Sequence, residues 1–388
     1  MTLTLRIEKV AHGGVFVARY QGQVYFVSGA LDGELVKVSV TETAKSFSKA
    51  TVIEVLEPSP HRVQHFWKAA RQGAGGAEFG HIALSHQREL KSQVLHEALQ
   101  RFAGVETTAK VQMLAGDNED GLHYRTRVQL NVDETGLAGP SKVRSNDILF
   151  SRDLPLAVPE IEELGMQLKN FRGIKKIKIA ASNTGDLQWA LDDKVQGSNQ
   201  LIERVGGRTF RLSVQGFWQA HRLAAGELSA QVIDVAKQLG FDAKKQNLDL
   251  YSGAGLFSAT MSQVFEGALF SAVESNSQAI KAGERSAADL SNLKFVKADV
   301  LRFLRAQLPQ SVDTVVLDPP RSGAASKVTA ELIKLRPRNI IYIACDPVAL
   351  ARDLRELLGA GYSLDGLKAF DLFPHTHHFE TVAALSIT

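Results

Sequence analysis

Over the first 60 residues, apolar and polar positions alternate in short runs, LRIEKVAHGG, VFVARYQGQVYFV, ELVKVSV and KATVIEVLE, separated by glycine-containing turns. A period of two places one side of each run in a core and the other in solvent, so these runs predict the strands of a small β-barrel. SPHRVQHFW then reads as a linker. Between 85 and 104 the period lengthens. Leu90, Val94, Leu95, Ala98, Leu99 and Phe102 fall on one face of a helix that Gly104 ends. Residues from about 110 to 215 are strand-rich again, with YRTRVQLNVD, KKIKIAASN and LQWALDD. Beyond them, strand-like runs at 247–251, 269–274, 294–297, 313–318 and 339–345 alternate with helical stretches. That alternation predicts βαβ units and a parallel sheet covered on both faces. Two final strand-like segments, LKAFDLFP and ETVAALSIT, read as an antiparallel pair. The expected architecture is a multidomain β and α/β chain: a barrel over 1–60, a central domain over 61–215, and a Rossmann-like domain over 216–388.

Composition narrows the function. At 388 residues the chain is too long for one core, and 44% hydrophobic with 22% charged residues describes an ordinary globular protein. The N-terminal MTLTLRIEKV has no secretory apolar segment, and no stretch approaches the ~18 apolar residues of a membrane span, so a cytoplasmic protein with no membrane partner is expected. A net charge of +3 permits a nucleic-acid partner without demanding one. The single cysteine, Cys345, excludes an internal disulfide, a cysteine-ligated zinc site and an iron–sulfur cluster. Oligomeric state is unreadable; a monomer is the simplest expectation.

In doubly wound sheets, ligands bind beyond the carboxyl ends of the strands. The first strand runs into YSGAGLF, where Gly253 and Gly255 let the backbone approach a ligand. Glu274 ends the second strand, where a ribose-binding carboxylate belongs, and Asp299 follows the third. Each has a plainer reading, a tight turn or a helix cap; their common register favours a shared ligand. The loop lacks the third glycine of a dinucleotide fingerprint, and the terminal antiparallel pair resembles class I methyltransferases. The fourth strand ends in DPPRSG, whose prolines present Asp318 rigidly. Amino-group methyltransferases carry an aromatic after a similar motif; Arg321 stands there instead, which argues against an exocyclic amine as acceptor. The fifth strand ends at Cys345, before Asp346 at an N-cap and Pro347 at N1. A helix N-terminus is expected to lower the thiol pKa and make a nucleophile. A thiolate adding to carbon 6 of uracil would make carbon 5 nucleophilic, after which a base must remove its hydrogen. Glu380, ahead of the last strand, is the candidate base. His375, His377 and His378 crowd the same loop, but three close histidines more often pack or hydrogen-bond than bind an ion, so no metal is expected.

DPPRSG, YIACDPVALARDL and FPHTHHFETVAAL, in this order, together resemble the RNA uracil-5-methyltransferases that carry an N-terminal TRAM domain, and VSGALDGELVKVSV with SFSKATVIEVLEPSPHRV is similar to that oligonucleotide-binding barrel. The resemblance spans most of the chain. It implies Cys345 as nucleophile, Glu380 as base, and methylation of carbon 5 of a uridine in ribosomal or transfer RNA. It implies S-adenosylmethionine contacts at Gln219, Tyr251, Gly253, Gly255, Glu274, Asp299 and Asp318, with Asp318 and Arg321 facing the substrate. Many relatives hold a four-iron cluster, but Ala74 and Ala77 occupy the positions of its CGGC segment and SRDLPLA has no cysteine. His221, Leu256 and Asp346 replace asparagines common in the family. The family's helix ahead of the central domain can serve the catalytic domain, which here concerns residues 82–104. For RNA contact the barrel offers Phe16, Tyr20, Tyr25, Phe26, Lys37, Lys45 and Lys49, though half of the aromatics must fill its core. The basic segment 169–178 is a second candidate surface. Two rival readings stand beside this one: an RNA-binding protein with an inactive methyltransferase domain, and a methyltransferase for another acceptor. Cytosine enzymes usually bring a second cysteine, which this chain lacks.

Overall fold

The computed structural model describes residues 1–143, 145, 147–306 and 311–387. The alternating N-terminal runs form six strands, Thr2–Arg6, Lys9–Ala11, Val15–Tyr20, Gln23–Ser28, Leu35–Thr43 and Phe47–Glu57. They pair in the order first, fifth, sixth, fourth, third, second, around Phe16, Tyr25, Val27, Val36 and Val38. Phe79, Ile82 and Leu90, from outside this segment, complete the same core. The linker is fastened by Arg62, whose Nη2 donates to Glu34 at 2.7 Å and to the Gly29 carbonyl at 2.8 Å. Glu34 is fully buried and also accepts the Leu31 amide at 2.9 Å.

The amphipathic segment is a helix over Leu84–Ala98, prolonged by a π-helical turn to Ala103 and stopped by Gly104 at φ 69°. Its apolar stripe serves two cores: Leu90 packs into the barrel, and Leu95 and Ala98 pack under the catalytic sheet. The chain then adds Val111–Gln112 as a parallel edge strand beside Ser363–Phe370.

Five antiparallel strands make the central sheet, in the order Lys194–Gly197, Leu187–Leu191, Lys176–Ala181, Arg127–Val132, Ala138–Gly139. Ala74 and Ala77 are buried nearby with Trp67, Tyr124 and Leu156, and the Trp67 indole donates to Ser151 Oγ at 2.9 Å. Packing thus surrounds both alanines. The hairpin Leu201–Val205/Arg208–Leu212 packs instead into the catalytic core, with Phe210 against Trp218 and Arg208 paired to Asp289 at 2.7 Å.

The catalytic sheet has eight strands: Leu293–Lys297, Leu269–Glu274, Gln246–Leu250, Val312–Leu317, Asn339–Ala344, Glu380–Ser386, Ser363–Phe370 and Val111–Gln112, in that spatial order. The first five are parallel, and Glu380–Ser386 runs antiparallel between Asn339–Ala344 and Ser363–Phe370. The near-continuous Val, Ile and Leu runs of the middle strands follow from burial on both faces. Among the described residues, no helix is long and apolar enough to cross a membrane.

Candidate active site

The parallel strands deliver their terminal acids to one edge. Tyr251 leaves the first strand at φ 62°, and the turn continues through Gly253 at φ 55° and Gly255 at φ 75°. A Cβ on Gly255 would lie 2.7 Å from the Phe295 ring, so only glycine fits. The Gly253 amide donates to Glu274 Oε2 at 3.0 Å, which ties the loop to the second strand. Glu274 Oε1 also accepts the Asn276 amide at 2.7 Å. Asp299 accepts the Arg302 amide at 3.0 Å as the cap of the next helix, so the plainer reading of that acid holds for one of its oxygens. Gln219 lies apart from these contacts. It lines a cleft of about 290 Å³ with Glu203, His221 and Arg222, between the central sheet and the helix Ala224–Gln238. His221 is buried there on Asp117 at 2.9 Å. Leu256 is buried in the first turn of its helix.

Asp318 sits beneath this loop, its amide donating to the Leu250 carbonyl at 3.3 Å. Burial, and then the neighbouring Asp249, push its carboxyl up to about 7. Asp249 is itself raised to about 6 by burial, and its Oδ1 is buried with no hydrogen-bond partner. The turn carrying Arg321 is pinned from behind: Asp353 Oδ2 accepts both the Ala324 amide at 2.7 Å and the Tyr342 hydroxyl at 2.5 Å.

Sheet register brings the two candidate reacting groups together. Ala344 pairs with Thr381 across the antiparallel ladder, which sets Cys345 opposite Glu380. Asp346 caps the following helix through the amides of Val348 at 3.0 Å and Ala349 at 2.9 Å, so Cys345 is held at a fixed corner. The thiol is not acidified as the helix terminus suggests. Burial, then Glu380 and Asp318, push it up to about 12, against the opposing charge of Arg321. Two carboxyl groups and lost hydration outweigh a terminal dipole that falls off within one turn. Glu380 is likewise raised well above the usual carboxylate range by burial and by Asp318.

Cys345 and Arg321 line a cavity of about 220 Å³ whose other walls are the barrel turn at 11–14, the helix Leu84–Ala98, and His377 and His378. Three long-range ties set the loop that leads to Glu380. Lys91 and Asp371 form a fully buried pair at 2.6 Å, and Lys91 also donates to the Phe373 carbonyl at 3.1 Å. Gln87 Oε1 accepts the His375 amide at 2.8 Å. Glu78 accepts from His377 through both the ring and the amide, and this pairing outweighs burial to hold its carboxyl at about 2. Glu78, His377 and His378 converge closely enough to resemble a metal triad. Glu78 and His377 already satisfy each other, and the Arg321 and Lys91 charges that act on His378 disfavour a cation there.

Sequence patterns did not point to Glu78, Lys91, Asp371, Asp353 or the barrel's His12, which reaches Asp346 at 2.7 Å. Lys91 left one trace, a charge at i, i+4 between Gln87 and Leu95 on a buried helix face. Asp249 left another, an acid inside the apolar strand NLDL.

A doubly wound sheet with a terminal antiparallel pair, acids at its strand ends and an N-terminal barrel defines a class I, S-adenosylmethionine-dependent methyltransferase with a TRAM domain. Comparison with known proteins agrees. Residues 204–387 match the tRNA (uracil-5-)-methyltransferase family model, and residues 1–53 match the TRAM domain. An uncharacterised RNA methyltransferase of Corynebacterium efficiens is 33% identical, with 99% of this chain and 94% of the relative covered. One from Streptomyces avermitilis is 34% identical over 98% of this chain and 97% of the relative. The crystal structure of the Pyrococcus abyssi tRNA (uracil-54, C5)-methyltransferase with S-adenosyl-L-homocysteine superposes with a TM-score of 0.74 at 21% identity, over 99% of this chain and 100% of that one, and shares its fold. The chain belongs to the tRNA (uracil-5-)-methyltransferase family and is an RNA methyltransferase.

Proposed function

We propose that the protein methylates carbon 5 of a uridine in ribosomal or transfer RNA, with Cys345 adding to carbon 6 and Glu380 removing the carbon 5 hydrogen. The register that sets Cys345, a lining residue of the cavity, opposite the buried Glu380 carries this reading. S-adenosylmethionine supplies an electrophilic methyl group on a sulfonium. The residues present suit it: a glycine turn that no Cβ could occupy, Glu274 and Asp299 where ribose and base would lie, and the unpartnered Oδ1 of Asp249 behind Asp318. Tyr251, Gly253, Gly255, Glu274, Asp299 and Asp318 would hold it, with Gln219 as the further contact that the family resemblance implies.

Burial disfavours charge throughout the resting site, and Cys345, Glu380 and Asp318 are all raised. A positive charge held near Asp318 would favour ionisation of all three. The Cys345 thiol then gives its proton to solvent, and its sulfur bonds to carbon 6 while the carbon 5–carbon 6 π pair moves into an enolate. Carbon 5 takes the methyl group. Ionised Glu380 removes the carbon 5 hydrogen, the double bond re-forms, and the carbon–sulfur bond breaks to return the thiolate. Arg321 at the cavity wall faces the developing enolate charge. The decisive experiment is nucleoside mass spectrometry on unmodified ribosomal and transfer RNA after incubation with methyl-labelled cofactor. Labelled 5-methyluridine in one pool supports the reading and identifies the substrate class; label in another nucleoside, or none with cofactor binding intact, overturns it.

A further inference from the structure

Three concavities meet at one residue of the barrel turn. His12 lines the Cys345 cavity, a second hollow of about 250 Å³ on the barrel face, and a groove of about 480 Å³ between barrel and helix. The barrel-face hollow is chemically distinct. Phe26 and Phe47 meet edge to face at 5.7 Å, Lys49 stands 5.9 Å from the Phe47 ring centre, and Ser28, Thr41 and Thr51 add hydroxyls. Neither phenylalanine belongs to the barrel core, which Phe16 and Tyr25 fill. Aromatic faces with hydroxyls and a cation suit unstacked nucleotides. The groove also carries Phe26, Phe102, Arg19 and Arg101, but Glu97 lines it and pairs with Lys9 at 2.8 Å, whereas no acid among the described residues lines the hollow, where Lys49 pairs with Glu42 at 2.7 Å outside it. His12 itself is about half exposed, and its pairing with Asp346 at 2.7 Å raises its pKa. An exposed ion pair of this kind is weak and can be exchanged for another anion.

We propose that the RNA strand adjoining the target nucleotide crosses the barrel face over Phe26 and Phe47 and enters the Cys345 cavity past His12, a positioning residue that trades Asp346 for a backbone phosphate. This rests on the RNA reading above. It makes the barrel part of the target's own register: the nucleotide beside the phosphate on His12 is the one placed over the thiol.

Two measurements on the full chain test it. A twelve-residue oligouridylate carrying 4-thiouridine is photo-crosslinked and the peptides mapped; cross-links are expected at Thr41 or within residues 47–51, which line the hollow and not the groove. In steady-state methylation of whole RNA, His12→Ala is expected to raise KM for RNA roughly tenfold, more than it lowers kcat, and to reduce the salt slope of binding by about one. Cofactor affinity stays unchanged, and His12→Lys restores the lost KM. Phe26→Ala/Phe47→Ala raises KM without altering the salt slope. Cross-links confined to the groove or to residues 169–178, or a His12→Ala variant with wild-type KM on RNA that the protein does methylate, overturn the path alone. A wild-type protein that neither cross-links to nor methylates any RNA overturns this inference together with the RNA reading.

Discussion

Cys345 is held as a thiol by its surroundings, and that decides how it should react. With a pKa pushed up to about 12, only about one molecule in ten thousand or fewer carries a thiolate near neutral pH. Iodoacetamide should therefore label the resting protein more slowly than a free cysteine. An S-adenosylhomocysteine analogue with an ammonium group in place of the methylated sulfur should accelerate labelling more than neutral S-adenosylhomocysteine does. Equal effects would mean that charge at Asp318 does not tune the thiol. The same sign governs turnover: thiol and base must both be ionised, both are raised, and so the rate should climb with pH from 6 to 8.5. A flat profile would place proton loss outside the slow step. Cys345→Ser should bind cofactor and RNA without turnover, whereas Glu380→Gln should stall as a protein–RNA adduct that survives a denaturing gel. If no adduct forms, the base lies elsewhere, with the histidines of the same loop next in line.

At the level of elements, the helix Leu84–Ala98 is what aligns the catalytic loop with the strands. Lys91→Ala would leave Asp371 buried without its partner, a change that costs about 3–5 kcal/mol. Lys91→Met with Asp371→Leu should recover most of that stability, read by thermal melting, while methylation stays impaired because the loop has lost its tie to the helix, the Phe373 carbonyl keeping only its local donors from Thr376. Full recovery of activity in the pair would reduce the ion pair to a packing role. Here the limit of sequence reading is plain. The five parallel strands were legible to within a residue, because hydrophobic runs and their breaks are local. So were the acids at the ends of the second, third and fourth. Lys91 and Asp371 stand 280 residues apart, His12 and Asp346 334, and no local pattern links such pairs. The thiol's surroundings escape sequence reading for a related reason: the helix terminus is visible in CDP, but the burial, and then Glu380 and Asp318, that push its pKa up come only with the fold.

Over the whole molecule, the barrel and the catalytic domain share one helix and one cavity, which has a consequence for where the chain can be cut. Texture ends the barrel near residue 60, yet Phe79, Ile82 and Leu90 are among the side chains that close its core, each 1% exposed or less. A fragment of residues 1–60 would expose the faces those three cover, and small domains have little burial to spare. Losing three large core side chains, at about 2–5 kcal/mol each, exceeds the stability of most domains of that size. Residues 1–60 alone should therefore give poorly dispersed amide resonances, whereas residues 1–104, which restore all three, should give a dispersed spectrum and cooperative melting. In the complementary fragment 61–388, Leu90 and the Cys345 cavity would lie open to water, since the turn at 11–14 supplies one wall. That fragment should keep cofactor affinity, because none of the proposed cofactor residues lies in 1–60, and lose methylation of RNA. Methylation at the full rate by residues 61–388 would show that the barrel is not part of the reacting site.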